Sequence, residues 1–265
     1  MNHQGSSAAT THDLPATARS AAMSEREWQT RVDLAACYRL FHHYRMTDLI
    51  YTHISARVPG RHDRFLINAY GMMFDEISAS NLIEVDIDGN VHYDPTGLGI
   101  NPGGFTIHSA VHQARPDVAC VMHSHTAAGI AVAGLRRGLL PLTQHAMRFT
   151  GRLAFHDYEG VYFTDGERAR LTASLGERMA MILRNHGLLA CGRTISEAWD
   201  VMYYLERACQ AQVTMLACGE EVVRVDAAVA AQVAGVFEAP GRKAVARIWP
   251  ALLRMLDRSD PSYRD

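Results

Sequence analysis

The sequence predicts an α/β layered domain built on a sheet that begins antiparallel. Two observations carry this. From Tyr51 the chain turns into short β-rich runs separated by turn signals, and from Thr106 onward apolar strand-like runs alternate with segments of helical spacing. The second half therefore reads as strands interleaved with helices rather than as eight equal barrel units. With 265 residues, 48% of them hydrophobic, the chain can bury one sizeable core, so a single domain with short tails is expected.

Taken in order, residues 1–23 are rich in Ala, Ser and Thr without hydrophobic periodicity, which predicts a disordered lead-in. Ser24 followed by Glu27 has capping-box spacing, and Trp28, Val32, Ala35 and Ala36 then lie on one helical face, so the folded domain starts here. Runs 52–58, 64–68 and 82–87 read as strands, broken by Pro59-Gly60 and Asp88-Gly89-Asn90 as turns. After the glycine-rich stretch 97–104, a helix is expected over 106–115 on Ile107, Ala110 and Val111, stopped by Pro116-Asp117. A buried strand follows over 118–123. Then come a small-residue helix over 126–135, β runs near Leu153 and Val161, a helix over 166–175, a strand over 179–184 and a β run over 187–191. A long helix is expected over 196–218 with Thr194 or Ser196 as cap, and the tail 221–265 is helical in character with a break at Gly241. No internal repeat is visible.

Composition narrows the function. With 26 basic and 28 acidic side chains the formal charge is −2, which suggests neither a nucleic-acid surface nor an anionic membrane as partner and leaves a small molecule as the natural ligand. The five cysteines make an odd count without C-x-x-C spacing, and read as reduced, mostly buried thiols. The N-terminus lacks a basic start and an apolar run, and no segment approaches about 18 uninterrupted apolar residues, so a cytoplasmic protein is expected. No G-x-G-x-x-G or Walker-type loop is present, which argues against nucleotide cofactors.

The chemistry gathers at histidines. His123-Ser124-His125 closes the apolar run Val118-Ala119-Cys120-Val121-Met122, and residues two apart on a strand point to one face, so both imidazoles can reach one ion. Alone, such a pair is as readily a polar strand end. Arg184-Asn185-His186-Gly187 also follows an apolar strand, and strand ends are where ligand sites of α/β sheets gather. Three neutral nitrogens with an open fourth position suit Zn²⁺ or another borderline divalent ion. A competing pair, His108 and His112, lies one helical turn apart, but Ser109 stands where an H-E-x-x-H site has its glutamate. His108 is expected in the interior with a hydrogen-bonded ring, and His112 at the surface.

In this order, the runs Ala114-Arg115-Pro116-Asp117-Val118, His123-Ser124-His125, His156-Asp157-Tyr158 and Ile182-Leu183-Arg184-Asn185-His186-Gly187-Leu188 resemble the class II aldolase/adducin family, closest to its adducin-like branch, over residues 24–220. The resemblance implies a three-layer fold with the sheet between helices, assembled as a homotetramer with sites between subunits. It also implies that His123, His125 and His186 hold zinc, which polarises a substrate carbonyl. Where the sugar-phosphate aldolases carry phosphate-binding groups and an acid/base glutamate, this chain reads Thr52-His53, Tyr70-Gly71 and Gly103-Gly104-Phe105. Phenylalanine moves no proton, and a positioned acid/base is worth about 10²–10⁴ in rate, so standard sugar-phosphate cleavage is not expected.

His53, Tyr70 and His145 are the candidate catalytic residues. His145 falls where some members contribute a tyrosine across the subunit interface. Gly71, Gly103, Gly104, Phe105 and Arg148 are the candidate substrate-binding residues, with Arg148 and Arg184 able to pair with a carboxylate or, alternatively, to form ordinary ion pairs. Glu206 is expected to be structural. The leading expectation is a metal-dependent lyase-like enzyme, acting by aldol-type C–C cleavage or enolisation on a small non-phosphorylated carbonyl or hydroxy-acid compound. Two alternatives stand beside it: a non-heme Fe²⁺ oxygenase using the same three histidines, and a non-catalytic adducin-like binding module.

Overall fold

The computed structural model describes residues 17–160, 165–238 and 244–265. The expectations at Val161, at Gly241 and for residues 1–16 lie outside the described residues. Helix α1 (Glu25–His43) starts as its capping residues predict, with the Ser24 hydroxyl accepting from the Glu27 N–H at 3.1 Å. Strands β1 (His53–Arg57), β2 (Arg64–Ile67), β3 (Ile83–Asp86) and β4 (Val91–Tyr93) follow as an antiparallel meander. The first three strands and the turns at Pro59-Gly60 and Asp88-Gly89-Asn90 fall where the sequence predicts them, whereas β4 itself was not expected. In the turn before β4 the Asp86 carboxylate accepts from the Asp88 and Asn90 N–H groups at 3.0 and 2.9 Å.

Helix α2 (Pro102–Ala114) begins four residues earlier than the apolar spacing predicts, because its start is decided by a cap and not by the core stripe. The Asn101 side chain accepts from the Gly103 N–H at 3.0 Å, and Pro102 occupies the first turn, where its missing N–H costs nothing. Gly103 and Gly104 are therefore helical, not loop residues. Next come β5 (Cys120–Ser124), α3 (Ala127–Ala133), α4 (Gln144–Met147) and β6 (Leu153–His156), and then α5 (Asp165–Leu175), β7 (Ala180–Leu183) and β8 (Gly187–Gly192). Thr194 caps α6 (Ile195–Ala217), and α7 (Ala227–Glu238) and α8 (Ala244–Ser259) complete the helices.

Among the described residues the eight strands form one sheet in the order β4-β3-β2-β1-β5-β8-β7-β6. Each of these pairings is antiparallel except β6 with β7. Both faces are covered. Cys120, Met122, Ile182, Leu188 and Ala190 join a core with α1 and α6, while Val121, Met181, Leu189 and Cys191 join a second core with Ile107 and Val111 of α2 and Leu171 and Leu175 of α5. Alternate residues of β5, β7 and β8 thus feed opposite cores, the signature of a sheet sandwiched between helices. Each fully buried aliphatic side chain contributes about 1.5–3 kcal/mol, so the central strands are the most firmly held part of the sheet. Four of the five thiols are buried and all are free. Among the described residues no helix is long and apolar enough to cross a membrane.

Candidate metal centre

Three imidazoles meet where β5 and β7 run out. His123 is the fourth residue of β5, His125 lies one residue past its end, and His186 sits in the three-residue turn joining β7 to β8. Asn185 takes a left-handed φ of 55° at the turn, a conformation asparagine tolerates better than most residues. Gly187 is required by proximity. A Cβ there would lie 2.3 Å from the Ser124 carbonyl oxygen and 3.2 Å from the His125 ring, so only glycine lets the hairpin close onto the end of β5. The wording Asn185-His186-Gly187 is therefore a geometric instruction to bring His186 against His125.

The ligating atoms of His123, His125 and His186 all lie within 4.8 Å of one another, and the ring centroids are 4.6 to 4.8 Å apart. The His123 Nδ1–H donates to the Leu188 carbonyl at 3.0 Å, and the His125 Nδ1–H donates to the Asp48 carboxylate at 3.0 Å. Both tautomers are fixed by acceptors that cannot donate, so each Nε2 carries a lone pair, and these two nitrogens stand 2.8 Å apart. Two lone pairs at that separation need a cation between them, either a proton shared as an N–H···N hydrogen bond or a metal ion. Zn–N bonds of about 2.0–2.1 Å in a tetrahedral site place nitrogens roughly 3.3 Å apart, within the span these donors already cover. Burial, then the imidazoles of His186, His125 and His53, hold His123 well below the usual histidine range, and burial with His125 lowers His186 to about 4. At neutral pH neither needs to lose a proton before serving as a ligand.

His53 is the cross-strand partner of His123 and lies nearly parallel to it, with centroids 6.1 Å apart. Its ring is buried, and neither nitrogen has a hydrogen-bond partner among the described residues. Burial first, and the neighbouring His125 and His186 second, lower it to about 3. A Cβ on Gly104 would fall 2.3 Å from this ring, so the glycine in the first turn of α2 is what lets the ring fit. For Gly103 the nearest atom to such a Cβ is 3.5 Å away, an ordinary contact.

The remaining sequence-derived candidates lie elsewhere. Phe105 stacks on Phe65 at 6.0 Å and covers Gly89. Tyr70 is half-buried and donates its backbone N–H to the Gly99 carbonyl at 2.9 Å, and Gly71 is exposed with φ 111° and open space around it. His145 is exposed on α4, its ring 5.0 Å from Tyr204. Arg148 is buried, ion-paired with Asp200 of α6, and held between the rings of Tyr204 and Phe237 at 3.9 and 4.5 Å. Arg184 donates to the Leu135 carbonyl at 2.7 Å and lies over Phe155. Glu206 accepts from the Thr126 hydroxyl and from Gln210 at 2.8 Å, fixing the residue after His125, and burial raises its carboxyl.

The expectation for His112 needs correction. Both His108 and His112 are buried, and both rings bond the same Ser55 hydroxyl, at 2.6 and 2.8 Å. His112 also stacks on Phe65 at 4.9 Å. α2 packs against β1, and His112, one turn along from His108, reaches the same Ser55 of that strand. Two residues beside the site were given no role by the sequence. Asp48 carries no motif and sits in an irregular segment, and Tyr158, whose run His156-Asp157-Tyr158 marks the family resemblance but no role, lies 6.2 Å from His186 by ring centroids.

The description Class II Aldolase and Adducin N-terminal domain matches residues 32–213, most of the chain. This chain belongs to that family. A protein of Pseudomonas aeruginosa named for class 2 aldolases is 49% identical over 96% of this chain and 98% of its own length. Rat α-adducin is 40% identical over 75% of this chain, which spans only 27% of the adducin. Among solved structures, an aldolase II superfamily protein from Pseudomonas syringae is 51% identical with a TM-score of 0.88, covering 92% of this chain and 98% of that one. An L-fuculose 1-phosphate aldolase from Glaciozyma antarctica is 28% identical with a TM-score of 0.74, covering 94% and 97%.

Proposed function

We propose that this family member is a metal-dependent, lyase-like enzyme that cleaves or enolises a small carbonyl or hydroxy-acid compound lacking a phosphate group. The observation that carries the reading is the convergence of three imidazoles, two with Nδ1 tied down and Nε2 turned inward. A bound divalent ion, zinc being the natural match for three nitrogens, would supply Lewis-acid polarisation of a substrate oxygen. His123, His125 and His186 would hold it. In an aldol cleavage the bond between the α and β carbons breaks, the β-hydroxyl gives up its proton, and the α carbon takes one. His53, neutral and with both nitrogens unengaged, offers one donor and one acceptor to that traffic. Tyr158, half-exposed beside His186, adds a phenol at the rim. His145 enters the reading only from a second copy, in a symmetric homotetramer, and light scattering that returned a monomer at micromolar concentration would remove it.

The similarity to an L-fuculose 1-phosphate aldolase suggests a sugar phosphate, and the residues that the sequence resemblance assigns to the phosphate positions argue against one. Phosphate recognition draws on hydroxyl and amide donors, usually with cationic support. By the resemblance read from the sequence, the positions that correspond carry an imidazole, a tyrosine and two glycines, with Phe105 in place of the carboxylate. Calorimetric titration of the metal-loaded protein with phosphorylated sugars beside unphosphorylated 2-oxo and hydroxy acids tests the proposal. Binding and turnover are expected only in the second group; micromolar binding of a sugar phosphate, with turnover lost in His53→Ala, would overturn it. The 40% identity to α-adducin favours a second reading, a binding module without turnover. That reading predicts no turnover with any member of the panel.

A further inference from the structure

The segment between α1 and β1 is built at a cost that its packing does not explain. Arg45 takes the left-handed φ of 56° usual for the residue that closes a helix, with its N–H on the His42 carbonyl, but Leu49 and Thr52 also take left-handed φ values, of 48° and 70°, without a glycine. For a β-branched threonine and a leucine this is unfavourable backbone geometry, and such outliers persist only where the surroundings enforce them. Leu49 is 65% exposed and Tyr51 47%, so neither is there to fill the core. The ends are firmly anchored: the Met46 N–H donates to the Phe41 carbonyl at 2.8 Å, and Thr52 is buried beside His53. Between them the Tyr51 N–H closes a tight turn on the Asp48 carbonyl at 2.8 Å, with Leu49 at the first central position. What that turn delivers is the Asp48 carboxylate, 3.0 Å from His125 Nδ1.

We propose that Asp48 is a positioning residue for the three-histidine centre, and that the left-handed turn is kept because it holds this carboxylate on His125. The inference rests on the metal reading given above. A carboxylate on the far nitrogen of a ligating imidazole fixes the tautomer and ring orientation and raises the basicity of the near nitrogen. His123 receives the same service from a backbone carbonyl of the firmly held β8, which cannot move or be substituted away. His125 lies past the end of its strand and has no such carbonyl, so a side chain from another segment takes the role. The carboxylate adds a negative charge that the Leu188 carbonyl lacks, making His125 the stronger donor of the two.

The test is a zinc competition titration of the full chain with a chromophoric chelator, run on wild type, Asp48→Asn and Asp48→Ala. Absorption spectra of the Co²⁺-loaded proteins and thermal melts of the metal-free proteins accompany it. Zinc affinity is expected to fall about 10- to 100-fold in Asp48→Ala, the range typical of lost outer partners, with Asp48→Asn in between because its amide oxygen still accepts from Nδ1–H. The cobalt d–d bands should shift in Asp48→Ala, while the metal-free melting temperature stays at the wild-type value, since the carboxylate is 43% exposed and its removal opens no cavity. Affinity within twofold of wild type in Asp48→Ala, whether or not the melt moves, overturns the inference and leaves the metal site standing. A wild type that binds neither zinc nor cobalt overturns the metal reading itself, and this inference with it.

Discussion

Two histidine groups face the same side of the sheet and look alike in the sequence, yet the structure gives them opposite characters. His108 and His112, four apart on α2, have the better-known ligand spacing, but their rings close on the hydroxyl of Ser55. Their polarity is spent inside the protein. His123, His125 and His186 come from a strand, its exit and a distant hairpin, and the two strand-end rings use Nδ1 for anchoring and aim Nε2 at each other. Their polarity is directed at one another, with the ligating atoms of all three within 4.8 Å. The difference teaches that ligand character depends less on spacing than on which ring nitrogen the fold engages. A group whose centre is a hydroxyl is complete, whereas a group whose centre is a pair of facing lone pairs asks for a cation.

This contrast can be broken from either side. The largest effect is expected for Gly187→Ala, whose new Cβ would sit 2.3 Å from the Ser124 carbonyl oxygen. Backbone must shift there, so the β7–β8 turn should move His186 away from His125. Metal content should fall to near zero, with a stability loss of about 1–3 kcal/mol by denaturant titration. If the variant kept its full metal content, the close approach of the hairpin would not be what assembles the site. A smaller and purely structural effect is expected for Ser55→Ala. Two buried imidazoles lose their shared partner, at a cost of about 1–3 kcal/mol in unfolding free energy, while metal content stays at the wild-type level. Loss of metal in Ser55→Ala would mean that the two groups are coupled and the distinction between them is false.

Much of this was legible in the sequence, for reasons that differ between elements. α1 and α6 announce themselves through capping residues, Ser24 and Thr194, and the central strands through uninterrupted apolar runs that only a doubly covered sheet needs. The three ligand candidates were readable because strand ends fix where their side chains go. The start of α2 was not, since the apolar stripe begins at Ile107 while the helix begins at an Asn-Pro cap five residues earlier. His112 was misjudged because burial on a helix depends on how flat the helix lies on the sheet, and spacing alone does not carry that angle. Asp48 was invisible for a different reason. Its role depends on a left-handed turn formed without glycine, and sequence gives no signal for a conformation its residues disfavour. Arg148 shows the converse: a cation that reads as a substrate clamp is placed by the fold beside Asp200 and between two aromatic rings.

The central claim is that the three-histidine group, and not the helical pair, is a metal site. Elemental analysis of anaerobically purified protein tests it most directly, comparing wild type with the His123→Ala/His186→Ala and His108→Ala/His112→Ala double variants, each first shown to be folded by circular dichroism. The account predicts about one divalent ion per chain in wild type, none in the first variant and an undiminished content in the second. It also lets the ion name itself, zinc for the lyase-like reading and iron for an oxygen-using one. A metal-free wild type, or a His123→Ala/His186→Ala variant that retains its ion, would contradict the account.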